Sequence, residues 1–275
     1  MALRNFDPAK APRVSRRAFT ALGGGIALAL GQLALGAAQT ACSGSDSTGR
    51  KRVELVTRVR ADTLAFTNAF DWAIALDRAL LSLGPLRYLE GAPVASRASF
   101  GIRAAHAHPG HYVEGGTLGE MLEPTTVDLT AGVTEVFRGP GVTGQALSAR
   151  FAFQDPPAGE LAGELSPRLV LVEGSATSGP ASLRFRASAG LADIVDPDGN
   201  PFVTGCTFED GDIVSDGSVL VTVSPALWLD QVDFSLLERS GDDAVELDAS
   251  GIPHKAFARG LKKGAAYSFR YSRSQ

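Results

Sequence analysis

Short runs of alternating apolar and polar side chains recur through this chain and leave it few folds to choose from. Val53, Leu55, Thr57 and Val59 alternate with Glu54, Arg58 and Arg60. Leu183 and Phe185 alternate with Arg184 and Arg186, and Ala149, Phe151 and Phe153 alternate with Arg150 and Ala152. A period of two sends successive side chains to opposite faces of an extended strand. Further β-like runs cover residues 125–130, 144–153, 168–173, 204–208, 219–224 and 265–271. Turn residues stand between them: Gly139-Pro140-Gly141, Pro156-Pro157, Ser178-Gly179-Pro180, Asp198-Gly199-Asn200-Pro201 and Ser215-Asp216-Gly217. Many short strands with this punctuation predict an all-β domain, an antiparallel β-sandwich of immunoglobulin-like or similar kind. The stretch from Trp72 to Leu89 reads as two strands around a turn at Gly84-Pro85. One or two short helices interrupt the pattern. Ser224-Pro225 starts one with proline at its first position, and residues 253–261 make another, ended by Gly264.

The first 41 residues stand apart. Arg4, Lys10, Arg13, Arg16 and Arg17 face a single acid, Asp7, and no charge follows from Ala18 to Gly44. A basic start, an apolar run and small residues at its end make an export signal. The uncharged stretch is long enough to span a bilayer, but Gly23-Gly24-Gly25 and many alanines make it weakly apolar, which favours removal over anchoring. Ser15-Arg16-Arg17-Ala18-Phe19-Thr20 resembles the twin-arginine translocation motif of bacterial signals, with Arg16 and Arg17 as its arginine pair. Ala38-Gln39-Thr40-Ala41-Cys42-Ser43-Gly44 is similar to a bacterial lipoprotein lipobox, with Gln39 where the pattern carries an aliphatic residue. The two resemblances imply export of a folded protein and lipidation of Cys42, hence a membrane anchor in the cell envelope, periplasmic or on the outer membrane. Ordinary cleavage after Ala38 is the alternative. The expected division is a signal at 1–41, a small polar tether at 42–52 and one β-sandwich domain at 53–275.

Charge narrows the partners. The whole chain has a formal net charge of −4, with 26 bases and 30 acids; five of those bases and one of those acids belong to residues 1–41, so the remainder carries −8. An acidic chain without a basic cluster excludes nucleic acid as the expected partner. It also argues against electrostatic docking on anionic lipid. There are only two cysteines, Cys42 and Cys206. With Cys42 lipidated, Cys206 is a lone thiol, expected to be buried in its β-like run, and stability rests on a hydrophobic core. A Cys42–Cys206 bridge would staple only the tether.

Chemistry concentrates in one place. Three of the four histidines fall within His106-Ala107-His108-Pro109-Gly110-His111. In an extended segment His106 and His108 project to one face, and Pro109-Gly110 favours a turn that returns His111 toward them. Three imidazoles suit copper or zinc. Glu114 is the expected carboxylate helper, with Glu120 and Glu123 nearby, and His254 is either a fourth ligand brought in by the fold or a surface histidine. The acidic stretches Asp196-Pro197-Asp198-Gly199-Asn200 and Glu209-Asp210-Gly211-Asp212 read as turns before they read as calcium loops. Trp72 and Trp228 are expected in core or edge packing, with an aromatic sugar platform as the lesser alternative. These observations make the first reading a non-catalytic, membrane-anchored binding lipoprotein that coordinates a transition metal, its protein partner unidentified. Two other readings stand beside it. One is a structural or interaction lipoprotein without metal; the other is a zinc-dependent hydrolase with Glu114 or Glu120 as base.

Overall fold

Alternation over Val53, Leu55, Thr57 and Val59 becomes strand β1 (Arg52–Ala61), with those four side chains buried and Arg58 and Arg60 exposed. The computed structural model describes residues 49–92, 115–196, 199–237 and 243–274, and Ser45–Gln275 form one compact unit. After β1 come β2 (Ala65–Thr67), β3 (Ala73–Leu89), β4 (Thr117–Met121), β5 (Thr125–Asp128), β6 (Thr134–Val142), β7 (Gly144–Gln145) and β8 (Ser148–Phe153). A short helix, α1 (Ala162–Leu165), leads to the hairpin of β9 (Val170–Ser178) and β10 (Ala181–Ala189), and then to α2 (Leu191–Ile194). The chain ends through β11 (Phe202–Glu209), β12 (Asp212–Ile213), β13 (Gly217–Val223), α3 (Pro225–Leu229), β14 (Val245–Glu246), α4 (Ile252–Leu261) and β15 (Tyr267–Arg273). The predominantly β class is as expected.

Strand order departs from expectation. A sandwich of purely antiparallel strands was anticipated, but the sheet is mixed: β1 runs parallel to β13, β11 to β15 and β10 to β14. Pairing also closes on itself, because β3 joins both β4 and β8. The circuit β3-β4-β6-β1-β13-β15-β11-β8 returns to β3. Closure leaves no free edge within that ring. Alternation specifies which face of a strand is buried, whereas the direction of its neighbour depends on the connections that carry the chain across.

The ring is filled by side chains. Tyr88 of β3 packs edge-on against Phe208 of β11 and Phe269 of β15, and the two phenylalanines stack at 6.0 Å. The Tyr88 hydroxyl shares a 2.6 Å hydrogen bond with Thr57 of β1. In the circuit β3 is not a neighbour of β1, β11 or β15, so the contacts of Tyr88 cross its interior. Satisfying both hydroxyls there avoids the cost of about 1–3 kcal/mol for an orphaned buried polar group.

Two stretches expected to be turns are strand. Gly84-Pro85 does not divide β3. The strand leaves β9 after Leu81, pairs with β8 from Leu83, and passes Gly84-Pro85 with a register shift between Leu83 and Leu86. A bulge tolerates proline because no ladder hydrogen bond is needed from it. Gly139-Pro140-Gly141 likewise lies inside β6, opposite β1. A Cβ on Gly141 would meet Leu55 Cδ1 at 2.5 Å and the Leu118 carbonyl at 2.9 Å, so the glycine serves close packing rather than a turn.

Beyond the ring, the first half of β3 extends through β9 and β10, and helices cover that side. Pro225 opens α3 as expected, although the Ser224 side chain makes no cap bond. The last helix, α4, packs on α3 and α2. Its Gly260 comes so near that a Cβ would lie 2.4 Å from the Trp228 carbonyl.

Candidate functional site

The ring's seam between β3 and β8 builds a cleft on its outer face. Leu86 and Tyr88 on β3, and Phe151 on β8, are buried. The intervening Pro85, Arg87, Arg150 and Ala152 line the outer cleft, as a two-residue period requires. In the β3–β8 register Arg87 stands directly opposite Arg150. On its other side Arg87 faces Glu120 of β4 and donates from Nε to its carboxylate at 3.2 Å. Phe202, at the start of β11, pairs with Ala152, and the Arg150 guanidinium lies 5.2 Å from its ring centroid. The walls are completed by Leu122, just beyond β4, and Leu191, which opens α2. The cavity is about 440 Å³, within the roughly 300–1,000 Å³ of small-molecule sites. Leu122, Leu191 and Phe202 are 54%, 37% and 43% exposed, a clustering of large apolar groups that solvent alone does not favour.

A second, shallower opening of about 610 Å³ involves Arg52, Thr117, Glu120 and Pro140 and shares Arg87 with the first. It lies where the β3–β4 connection is rooted. Leu89 pairs with Thr117. Next to it, the Glu90 amide donates to the Gly116 carbonyl at 3.1 Å, and the Gly116 amide donates to the Glu90 carboxylate at 3.1 Å. Arg50 forms an ion pair with the same carboxylate.

His106, His108, His111 and Glu114 fall on that connection and lie outside the described residues, as do Cys42, Arg16 and Arg17. Among the described residues no three histidine, cysteine, aspartate or glutamate side chains are grouped as a metal site. Glu120 is committed to Arg87, and Glu123 is exposed.

His254 is not on the surface. It sits in the first turn of α4 at 4% exposure. Its Nε2 comes within 3.0 Å of Asp193 Oδ1, an ion-pair distance without hydrogen-bond alignment, and its Nδ1 has no hydrogen-bond partner among the described residues. Asp193 also accepts the Gly190 amide at 2.9 Å, so one carboxylate closes the start of α2 and meets α4. Sequence offered no partner for His254 because Asp193 is 61 residues away; only packing of the two helices joins them.

The remaining candidates have structural roles. Asp196 Oδ1 accepts from the Asn200 amide, closing a turn, and Glu209 and Asp210 both pair with Arg270. Cys206 is fully buried, and burial pushes its thiol up to about 12, which removes it as a nucleophile near neutral pH. Trp72 and Trp228 are core residues as expected, Trp72 against Phe234 and Trp228 against Tyr267.

Sequence reasoning overlooked the Arg87–Arg150 cleft. The signal was present in part, since alternation in Ala149–Phe153 already sets Arg150 outward. The register that opposes Arg87 to it was not readable. No family model matches this chain, and neither a curated protein nor a solved structure matches it significantly. Among the described residues no helix is long and apolar enough to cross a membrane.

Proposed function

We propose that this chain is a non-catalytic binding module of the cell envelope, exported by its twin-arginine-type signal, tethered through a lipid on Cys42 and coordinating copper or zinc through His106, His108 and His111. The observation that carries the reading is the concentration of three of four histidines in six residues. The segment bearing them joins two strand ends held in register at Leu89 and Thr117, which supports a ligand set presented from a fixed base. Glu114 is the carboxylate nearest to that set in sequence. His254 is not counted in it, because its contact is with Asp193.

Binding by neutral imidazoles weakens as pH falls through about 6.5, where protons compete for the ring nitrogens. Elemental analysis of untagged protein exported by its native route is expected to find copper or zinc. Calorimetry is expected to show at least tenfold weaker binding after His106→Ala/His108→Ala. Metal-free wild type with unchanged affinity in the double variant overturns the reading and leaves a structural or interaction lipoprotein. The hydrolase reading is weaker, since Glu120 already holds Arg87.

A further inference from the structure

We propose that the outer face of α4 docks on an anionic phospholipid surface through Lys255, Arg259, Lys262 and Lys263. The proposal rests on the envelope location proposed above, and neither on metal nor on the lipid at Cys42.

Charge supplies the first argument. The chain as a whole carries more acids than bases, yet residues 249–275 contain six bases and no aspartate or glutamate. Lys255, Arg259 and Lys262 stand four and three residues apart, the spacing that brings side chains to one face of a helix. These three and Lys263 are exposed, whereas His254, Phe257 and Leu261 are buried on the inner side. The net charge of the chain argues against docking on anionic lipid, but that charge is unevenly spread, and the helix gathers these cations. Among the described residues none of the four makes a hydrogen bond or ion pair through its side chain. Asp248, just before α4, acts on Lys255 through space, but its two carboxylate oxygens already accept from the Ser250 amide and hydroxyl. Asp193 meets the buried side of the helix, at His254. The negative end of the helix dipole accounts for cations at Arg259 and Lys262. It does not account for Lys255, in the half of the helix where the dipole disfavours positive charge.

Shape and polarity supply the second. The inner side of α4 is occupied by packing, so the helix meets a surface only as a convex outer row. From Lys255 to Lys262 that row is about 10 Å long, at 1.5 Å per residue. A layer of phosphate head groups offers anions to every member of the row, whereas one small anion would engage a single side chain. Ile252 precedes Lys255 by three residues, shares its face and is 67% exposed. An apolar side chain beside cations suits the head-group boundary of a lipid layer better than it suits a purely polar polyanion. Each cation brought to such a surface raises partition about fivefold at low salt.

The test compares partition of the exported, processed protein onto phosphatidylcholine vesicles and onto vesicles containing about one-third phosphatidylglycerol, read by co-sedimentation. A lipid on Cys42 would contribute equally to both, so the preference reads the anionic surface whether or not the lipid is there. The wild type is expected to prefer the anionic vesicles at least tenfold at low salt. That preference is expected to vanish near 1 M salt, where the Debye length falls to about 3 Å. Lys255→Gln/Arg259→Gln/Lys262→Gln/Lys263→Gln is expected to bring the preference below about threefold with little change in melting temperature. Should that variant fail to fold, Lys262→Gln/Lys263→Gln, at the end of the helix, is expected to lower the preference at least fivefold. Equal partition onto the two vesicles overturns the proposal, as does a preference that survives the fourfold substitution and so belongs to other cations. Loss of the preference to inorganic phosphate at constant ionic strength assigns the face to a discrete phosphate. Binding to polyglutamate without any vesicle preference assigns it to an acidic protein. Either result equally overturns the lipid surface.

Discussion

The interior of the strand ring and the helix-covered side of the sheet bury polar groups in opposite ways. Inside the ring, Thr57 and Tyr88 hydroxyls satisfy each other among aromatic side chains. Under the helices, His254 is equally buried, yet neither ring nitrogen makes a hydrogen bond among the described residues, and Nε2 only approaches the Asp193 carboxylate at 3.0 Å. The ring achieves its pairing through strand register, which repeats every second residue and leaves little freedom. The helical side achieves its pairing by docking two short elements, α2 and α4, whose contact depends on everything beneath them. Burial is therefore dictated strand by strand in one region and settled only by assembly in the other.

The sharpest way to test that contrast is to empty the ring. Phe269 is fully buried against Tyr88 and Phe208, so Phe269→Ala should cost about 3–5 kcal/mol, read as a lower urea midpoint with unchanged slope. A loss under about 1 kcal/mol would show that the interior is loosely packed and that the ring is not the stabilising half.

Tyr88→Phe is a finer probe. It keeps the ring's volume and orphans only the Thr57 hydroxyl, with an expected loss of about 1–3 kcal/mol. Adding Thr57→Val should recover part of that loss, because both polar partners are then gone. Asp193→Asn is the counterpart on the helical side. If it unfolds the protein more than Tyr88→Phe does, the assignment of greater order to the ring is reversed.

The smallest effect concerns Cys206. Its folded-state pKa is pushed to about 12 by burial, whereas an exposed thiol ionises near 8.5–9. Folding thus holds a proton that the unfolded chain releases, so the contribution is intact below about pH 8.5 and is lost as pH rises toward 12. Between pH 8 and 10 that amounts to about 1–2 kcal/mol, and Cys206→Ala should lose correspondingly less stability over the same interval. Identical pH slopes for variant and wild type would remove the thiol from the account. Tyr88 and Tyr267, whose hydroxyls are also pushed upward by burial, continue the alkaline loss in both proteins.

Much of the strand content was legible because alternation is a local property. Val53 to Val59, Ala149 to Phe153 and Leu183 to Ala187 declare their buried faces without reference to any neighbour. Gly84-Pro85 and Gly139-Pro140-Gly141 misled for an equally local reason: glycine and proline mark turns on average, but they also mark bulges and close approaches. Leu55 and Leu118, the groups that require Gly141, are distant in sequence and meet it only in the folded sheet. The cleft was half legible. Arg150 was known to face outward, but its opposition to Arg87 depends on a register across 63 residues of chain.

By itself, the sequence determined the β class, the inward faces of most strands, the helix opened by Pro225 and the burial of both tryptophans. Those follow from side-chain period and from the backbone restriction of proline, which act within a few residues. Tertiary structure decided the parallel pairings, the closure of β3 onto β8, the burial of His254 beside Asp193 and the meeting of two arginines with Phe202. Each of these depends on which distant segments become neighbours, and that is set by the free energy of the whole packed core rather than by any stretch of it.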